Sequence, residues 1–179
     1  MPKESEQSYH YFMHHHLFDH IDIDPKNIHI PDGTLEGDEI DKFCRDYEKA
    51  IEAAGGIDLQ ILGIGRTGHI GFNEPGSFIT SQTRKVFLND LTIKDAIKDF
   101  GSRNLVPTKA ITMGVGTIMQ ARRVILMAWG EKKAPIIKAT VEGRVSDSVP
   151  ATFLQMHSNV QFVIDESAAS ELTRADYPW

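Results

Sequence analysis

Residues 62–77 have the sequence Leu-Gly-Ile-Gly-Arg-Thr-Gly-His-Ile-Gly-Phe-Asn-Glu-Pro-Gly-Ser, a glycine-rich stretch that carries a histidine and a carboxylate. The apolar run before it, 58–65, is typical of a buried strand that ends in glycines. His69 and Glu74 should therefore emerge at the carboxyl end of a sheet. Open α/β folds bind their ligands at that edge. The stretch predicts both the fold class and the position of a site.

The rest of the chain alternates between strand and helix patterns. A helix is predicted at 39–54, where apolar residues recur at helical spacing and two glycines follow. Further strands are predicted at 110–114, 124–129 and 160–165, and further helices at 115–121, 132–142, 151–156 and 166–173, the last capped by Asp165. This order predicts one α/β domain, 1–179, with a mostly parallel open sheet covered by helices on both faces.

Composition narrows the class of protein. The 179 residues are 41% hydrophobic, enough to bury the core of one domain. The 25 acidic and 19 basic residues give a net charge of −6, so nucleic acid is not expected as a partner. The single cysteine, Cys44, indicates a core thiol in a reducing compartment. No apolar run is long enough for a membrane span and the N-terminus does not resemble a signal peptide, so we expect a cytoplasmic protein without a membrane partner.

The glycine pattern Gly63-x-Gly65-x-x-Gly68 also fits a dinucleotide-binding fingerprint. That fingerprint needs a helix to begin at once, and Gly71 and Pro75 interrupt the segment that follows. We therefore do not predict a nicotinamide or flavin cofactor. A purely structural turn, whose histidine only caps a backbone group, stays open on the motif alone.

Histidines are also concentrated in residues 13–20. His16 and His20 are four residues apart, a spacing at which two imidazoles on one helix can share a metal ion. No cysteine or acidic partner completes a ligand set, and the neighbouring aromatic residues favour an amphipathic helix with surface histidines. We expect His29 and His157 to pack or to form local hydrogen bonds. The sequence therefore predicts no metal site.

Several segments together resemble the glucosamine-6-phosphate deaminase family. They are 27–33 (Asn-Ile-His-Ile-Pro-Asp-Gly), 61–77, 113–117 (Met-Gly-Val-Gly-Thr), 130–133 (Gly-Glu-Lys-Lys) and 141–143 (Val-Glu-Gly). The most specific is 68–75, because the related 6-phosphogluconolactonases share the Gly-His turn but usually continue it with a Ser-Leu-Phe-Pro type sequence. The resemblance implies a modified Rossmann-like fold of the deaminase/6-phosphogluconolactonase type. It also implies conversion of glucosamine 6-phosphate and water to fructose 6-phosphate and ammonium, in N-acetylglucosamine catabolism, without metal or organic cofactor.

The implied reaction begins with a proton transfer at the ring oxygen of a closed sugar. Imidazole is the side chain best suited to this step near neutral pH, and the resemblance assigns it to His69. Glu74 would hold the tautomer of His69 and stabilise the imidazolium if the turn 72–75 folds back. Thr67 stands where the family has Asp or Asn and offers a hydroxyl instead of a charge. Gly65 and Gly68 belong to the implied substrate-binding turn.

The resemblance also implies cations for the sugar phosphate. Lys133 falls on a family lysine that holds the phosphate, with a surface lysine at a helix start as the alternative. Lys98 aligns with a family arginine, although an exposed helix face explains it equally well. Ser77 and Arg84 match positions of an allosteric site for an amino-sugar phosphate between subunits. Val86 replaces a lysine of that site, which weighs against allosteric activation.

Two family features have no counterpart in this chain. The general base, an aspartate in an Asp-Glu-Tyr segment, and a glycine-rich phosphate loop precede the region that resembles 2–9. Residues 176–179 also stop before the family's closing helix, and a further C-terminal domain in place of that helix is the alternative. We expect an incomplete domain of a longer protein, inactive by itself and homo-oligomeric when complete. A non-catalytic sugar-phosphate-binding remnant and a lactonase-like hydrolase stay open as alternatives.

Overall fold

Strands and helices alternate along the chain, as the sequence predicts. The computed structural model describes residues 1–173. Its strands are β1 (Leu59–Gly63), β2 (Arg84–Phe87), β3 (Lys109–Thr112), β4 (Arg123–Ala128) and β5 (Val160–Ile164). Its helices are α1 (Tyr9–His16), α2 (Asp38–Ala53), α3 (Asp90–Phe100), α4 (Val115–Met119), α5 (Ala134–Glu142) and α6 (Glu166–Ala169). The predicted α/β class, with a parallel sheet and a Rossmann-like arrangement, is confirmed.

A parallel sheet of three strands, in the order β1-β4-β5, forms the centre of the fold. Leu59 pairs with Arg123 at the start of β1, and Gly63 pairs with Met127 at its end. The central strand β4 is the most apolar, and its Val124 is fully buried. Because the strands are parallel, all three end at one edge of the sheet. The chain that leaves β1 after Gly63 begins at that edge.

Helices cover one face of this sheet. The core contains fully buried Leu126 from β4, Ile137 from α5 and Leu154 from the 3₁₀ helix Pro150–Met156. Burying each such side chain contributes roughly 1.5–3 kcal/mol. Ile70 is fully buried in the same core although it lies in a loop. The core therefore anchors the residue next to His69.

The opposite face of the parallel sheet carries exposed apolar side chains. Leu59 and Ile61 point outward from β1, Met127 from β4 and Val163 from β5, and Ile61 is 58% exposed. They alternate with buried neighbours, as the two-residue period of a strand requires. Within residues 1–173, the prediction of helices on both faces therefore holds for one face only.

The strand predicted at 110–114 does not join the parallel sheet. β3 instead pairs antiparallel with β2, so that Arg84 lies opposite Thr112 and Phe87 opposite Lys109. β2 is not predicted from the sequence because the strand is short and mixes charged with apolar residues. Half-exposed antiparallel strands lack the continuous apolar run that marks a parallel strand. The parallel sheet has three strands rather than the predicted four.

The predicted helices are mostly confirmed, with changes at their ends. The helix predicted at 39–54 is α2, and the one predicted at 132–142 begins with a 3₁₀ turn, Glu131–Lys133, before α5. Residues 151–156 lie in the 3₁₀ helix that begins with Pro150, not in an α-helix. The last helix is shorter than predicted, but Asp165 caps it, accepting a hydrogen bond from the Ala168 amide at 2.8 Å.

The histidine-rich segment does not bring His16 and His20 onto one helix. α1 ends at His16, and a separate 3₁₀ helix, Phe18–His20, follows. Across residues 1–173, no three His, Cys, Asp or Glu side chains come together as metal ligands would. His157 forms the expected local hydrogen bond with the Asn159 amide at 3.0 Å and a second one with the Ala121 carbonyl, 36 residues away in the sequence, at 2.8 Å.

Two other predictions concern the interior and the chain end. Cys44 is buried, as expected of a core thiol, and burial raises its pKa. None of the helices in residues 1–173 has both the length and the apolar character that a membrane span requires. Residues 176–179, on which the expectation of a further domain partly rests, lie outside the described residues.

Candidate active site

The site begins where β1 ends, in a tight turn that brings His69 back toward Gly65. The Gly65 amide donates to the His69 carbonyl at 3.0 Å, and the Gly68 amide donates to the Gly65 carbonyl at 3.0 Å. Gly68 has a φ of +79°, in the left-handed region that favours glycine. A Cβ on Gly65 would lie 2.0–2.4 Å from atoms of the His69 ring. The imidazole therefore packs directly on glycine backbone.

No helix follows this turn, which removes the dinucleotide interpretation. The residues after Gly68 form loops and short turns, and the next helix is α3, beginning at Asp90. A pyrophosphate bound by the fingerprint needs the N-terminus of a helix at this point. The glycines serve instead to position the histidine.

The following turn folds back, as the sequence analysis required, and carries Glu74 to His69. Asn73 is fully buried and donates to the carbonyl oxygens of Ile70 at 2.9 Å and Met113 at 2.8 Å. The Phe72 amide donates to the Thr112 hydroxyl at 3.0 Å. These bonds tie the turn to β3. They leave one Glu74 carboxylate oxygen 3.2 Å from His69 Nδ1.

Four donors surround the Glu74 carboxylate. Thr67 Oγ1 donates to Oε2 at 3.0 Å, and His69 Nδ1 lies beside the same oxygen. Thr92 Oγ1 donates to Oε1 at 2.5 Å, and the Asn89 amide donates to it at 3.3 Å. Burial raises the pKa of this carboxyl, but hydrogen bonds from His69, Thr92 and Thr67 and the charge of His69 outweigh burial and lower the pKa to about 2. Glu74 is therefore an anion at neutral pH.

Thr67 bridges the acid and the imidazole. Its hydroxyl oxygen lies 2.9 Å from His69 Nδ1 as well as 3.0 Å from Glu74. The side chains of His69 and Glu74 are only 17% and 11% exposed, so water screens their interaction weakly. The structure thus brings together His69, Glu74 and Thr67, the three residues predicted for catalysis.

Thr92 and Asn89 are members of the site that the sequence analysis missed. Thr92 lies in the first turn of α3, and Asn89 caps that helix by accepting a hydrogen bond from the Leu91 amide at 2.9 Å. The Asn-Asp pair at 89–90 is a recognisable helix start. Nothing in the sequence indicates that this start contacts Glu74, because the contact depends on how the loop between them folds.

His69 faces a wide cleft of about 1800 Å³, and Lys133, Lys98 and Arg66 are among the six Lys and Arg side chains of residues 1–173 that line it. Lys133 follows β4 and donates from Nζ to the Ile64 carbonyl at 2.6 Å. Burial lowers the pKa of this ammonium, with Asp95 opposing the change and Lys98 adding to it. Lys133 is therefore half-buried in the cleft and is not a free surface lysine. Six acidic side chains of the described residues line the cleft as well, so it is the local charge of the half-buried Lys133 ammonium that favours an anionic ligand.

Two further cationic residues of the cleft come from α3 and from the turn. Lys98 lies in the last turn of α3 and is exposed, yet it lines the same cleft as His69. Arg66, between the two glycines of the turn, forms an ion pair with Asp95 of α3 at 2.8 Å. Gly65 also lines the cleft, whereas Gly68 packs below it against Val149. Helix α3 thus contacts Glu74 at its N-terminal end and carries Lys98 into the cleft at its C-terminal end.

Ser77 and Arg84 meet at a different, smaller pocket of about 270 Å³. Arg84 donates to the Ser77 hydroxyl at 3.0 Å and to the Asn73 side-chain carbonyl at 2.9 Å, and burial lowers its pKa. Val86 lines this pocket and brings no charge. Glu74 also lines this pocket but not the cleft, and Phe72 lines both.

Comparison with known proteins identifies close relatives. A model of the family of glucosamine-6-phosphate isomerases and 6-phosphogluconolactonase matches residues 1–163. A glucosamine-6-phosphate deaminase of Shewanella woodyi is 53% identical over 171 residues, 96% of this chain and 64% of the relative. A glucosamine-6-phosphate deaminase-like protein of Bacteroides thetaiotaomicron is 52% identical over 163 residues, 91% of this chain.

A solved structure is similar over almost the whole chain. It is that of a monomeric glucosamine-6-phosphate deaminase, with a TM-score of 0.91 and 40% identity, and it covers 96% of this chain and 70% of that one. The chain therefore spans 64% of the length of the Shewanella relative and 25% of the length of the Bacteroides relative.

Proposed function

Because the chain belongs to the family of glucosamine-6-phosphate isomerases and 6-phosphogluconolactonase, we propose that it acts as a glucosamine-6-phosphate deaminase. The reaction converts glucosamine 6-phosphate and water to fructose 6-phosphate and ammonium. One observation carries the proposal: the buried His69–Glu74 pair opens onto the same cleft as Lys133. The identity of about half of all residues with a deaminase supports it.

In this proposal His69 moves a proton at the ring oxygen of the sugar. Its Nδ1 is engaged by Thr67 and Glu74, so Nε2 is the nitrogen left for the substrate. The anionic Glu74 stabilises the imidazolium whenever His69 carries a second proton. Acid–base catalysis by a positioned side chain contributes typically about 10²–10⁴-fold to the rate.

Lys133 and Lys98 would hold the phosphate in this proposal. Burial lowers the pKa of Lys133, and a bound dianion favours the charged form of the ammonium. Both amines are point charges without the two-pronged geometry of arginine. The proposal assigns no residue of 1–173 as the base that removes the C2 proton.

An assay of both products tests the proposal. The intact protein, with any residues that its gene encodes before or after 1–179, is incubated with glucosamine 6-phosphate, and ammonium and fructose 6-phosphate are measured separately. We expect both products in equal amounts, and we expect His69→Gln and Glu74→Gln to lower their rate at least about 10²-fold. His29→Gln is the matched control, because His29 is exposed and lies outside the cleft.

Two outcomes would contradict the deaminase proposal. Hydrolysis of 6-phosphogluconolactone without ammonium release would identify a lactonase. Binding of glucosamine 6-phosphate without turnover, measured by calorimetry, would identify a sugar-phosphate-binding protein. Equal rates in wild type and both cleft variants would remove His69 and Glu74 from the catalytic roles.

The cellular setting is a further part of the proposal. We infer that the protein takes part in N-acetylglucosamine catabolism in the cytoplasm, with residues 1–179 in a single domain, and without metal or organic cofactor. We do not include allosteric activation at Ser77 and Arg84, since uncharged Val86 lines their pocket.

We infer a homo-oligomer, supported by exposed Phe78 and Phe87 beside the pocket of Ser77 and Arg84. Light scattering tests this, because the similar solved structure is of a monomeric enzyme.

A further inference from the structure

Two threonine hydroxyls enclose the Glu74 carboxylate, one on each oxygen. Thr67 reaches Oε2 from the glycine turn and Thr92 reaches Oε1 from the first turn of α3. The two residues come from elements separated by the whole β2 region of the chain. A carboxylate held on both oxygens has one orientation, since neither oxygen can move without breaking a hydrogen bond.

The proton arrangement around His69 follows from counting donors. Ionised Glu74 can only accept, so the single hydroxyl proton of Thr67 goes to Oε2 and its oxygen remains free to accept. His69 Nδ1 lies 2.9 Å from that oxygen and 3.2 Å from Oε2. A bare Nδ1 lone pair would there face a carboxylate lone pair. A protonated Nδ1 donates to both oxygens.

We propose that Thr67 and Thr92 are positioning residues that fix His69 as the Nδ1–H tautomer and so reserve Nε2 for the ligand in the cleft. The Thr67 hydroxyl oxygen accepts a hydrogen bond from Nδ1–H. Thr92 holds the Glu74 carboxylate where its Oε2 accepts from the same Nδ1–H. Within residues 1–173, Nε2 of His69 has no hydrogen-bond partner, while the ring lines the cleft. The assignment of Nε2 to the sugar ring oxygen rests on the proposed deaminase function; the tautomer does not.

The two threonines also explain how His69 and Glu74 can be oriented although position 67 carries a threonine and no carboxylate. A carboxylate there would add a second negative charge beside Nδ1, whereas Thr67 adds an acceptor without charge. The orientation is instead completed by Thr92, whose hydroxyl lies 3.4 Å from Nδ1 and 2.5 Å from Glu74. Neutral hydroxyls thus orient an acid–base pair whose only permanent charge is that of Glu74.

Nitrogen NMR of the His69 ring tests the tautomer directly. The chemical shifts of Nδ1 and Nε2 distinguish a protonated from an unprotonated ring nitrogen, and His69→Gln identifies the His69 signals among the eight histidines. At about pH 9, where a histidine of ordinary pKa is neutral, we expect proton-bearing Nδ1 and bare Nε2 in the wild type. Thr67→Val and Thr92→Val should each shift the population toward Nε2–H, and the double variant should shift it furthest.

Matched variants separate positioning from general packing. Thr67→Ser and Thr92→Ser keep the hydroxyl and should restore the wild-type tautomer. Thr140→Val removes a fully buried hydroxyl that has no partner within residues 1–173, and should change nothing at His69. A backbone amide spectrum shows whether each variant is folded.

Three results would overturn the inference: Nε2–H in the folded wild type, an unchanged tautomer in the double valine variant, or failure of both serine variants to restore it. If deaminase turnover is present, kcat should fall at least about 10-fold in each valine variant with KM unchanged, because the substrate contacts are intact. Absence of turnover in the wild type would contradict the proposed function alone, since the tautomer measurement needs no substrate.

Discussion

At the scale of single residues, the missing side chain of Gly65 is as important as the imidazole that packs on it. A Cβ there would overlap atoms of the His69 ring at 2.0–2.4 Å. The ring can rotate away, so the steric conflict should displace the histidine and leave the fold intact. Sequence patterns indicate a turn at such a glycine, but only the folded loop shows which side chain needs the space.

Gly65→Ala should therefore lower deaminase activity at least about 10²-fold, the loss typical of a displaced acid–base group, with little change in thermal unfolding. Gly63→Ala is the matched control, because a Cβ at Gly63 meets nothing within 4 Å. The measurements are steady-state kinetics and the nitrogen NMR signals of His69. If Gly65→Ala turned over substrate at the wild-type rate and left the His69 signals unchanged, the packing of the imidazole on Gly65 would not matter for activity.

The ionised state of Glu74 also links this residue to the pH dependence of stability. Its pKa falls from 4.5 to about 2 on folding, because the hydrogen bonds from His69, Thr92 and Thr67 and the charge of His69 outweigh the opposing effect of burial. A depressed carboxyl pKa stabilises the fold above the unfolded-state pKa, and this contribution is lost as the pH falls toward the folded-state value.

Between pH 5 and pH 3 the free energy of unfolding should fall by about 2 kcal/mol through Glu74 alone. Other carboxyls with lowered pKa values, such as Asp165, add to the total loss. The contribution of Glu74 is the difference between wild type and Glu74→Gln in urea unfolding at the two pH values. Parallel pH dependences in the two proteins would show that Glu74 is not specifically stabilised in the folded state.

At the scale of secondary-structure elements, α3 connects the acid to the cleft. Its N-terminal residues hold Glu74, its middle pairs Asp95 with Arg66, and its last turn carries Lys98. Ile93 is the buried residue of this helix. The helix is thus fixed largely by polar contacts at its start, where Asn89 accepts from the Leu91 amide.

Asn89→Ala should lower the free energy of unfolding by about 1 kcal/mol, the usual cost of a lost N-cap. It should also loosen the hold of the Thr92 hydroxyl on Glu74, because the first turn of α3 then frays. Asn89→Asp keeps the capping oxygen and serves as the comparison. Urea unfolding and the carbon NMR signal of the Glu74 carboxyl measure the two effects. If Asn89→Ala kept the wild-type free energy of unfolding but shifted the Glu74 signal, Asn89 would position Glu74 without stabilising the helix, and the capping prediction would be wrong.

At the scale of the whole molecule, the parallel sheet is apolar on a face that the described helices leave exposed. Four side chains form this exposed sheet face: Leu59, Ile61, Met127 and Val163. Parallel sheets are normally covered on both faces, and exposed apolar patches promote association. The 179-residue chain should therefore bind the hydrophobic dye ANS and self-associate.

Ile61→Thr combined with Val163→Thr should reduce dye binding and self-association while retaining strand-compatible β-branched residues. Leu105→Thr is the control, because Leu105 is 65% exposed but lies in the 3₁₀ helix Arg103–Leu105, outside the sheet. Dye fluorescence and sedimentation velocity measure the two properties. Equal dye binding in the double variant and the control would show that another surface is responsible.

An element of the fold is predictable when its own residues carry the pattern that specifies it, and not when its conformation depends on a distant segment. α2, β1, β4 and β5 were predicted because each has a continuous apolar or helical pattern of its own. β2 and its antiparallel pairing with β3 were not, because a half-exposed strand of four residues takes its conformation from its neighbour. Coverage of the sheet face likewise depends on distant segments.

Local sequence patterns are enough to predict the α/β class, the position of the glycine turn after β1 and, through the resemblance of 68–75, that His69 and Glu74 belong to one site. These properties follow from apolar periodicity, glycine stereochemistry and short spacing along the chain. The folded arrangement is needed to show that Thr92 and Asn89 complete this site, that Lys133 lines its cleft from the 3₁₀ turn after β4, and that the helices of residues 1–173 leave one sheet face exposed. Contacts between residues far apart in sequence depend on loop geometry and side-chain packing, which no local pattern records.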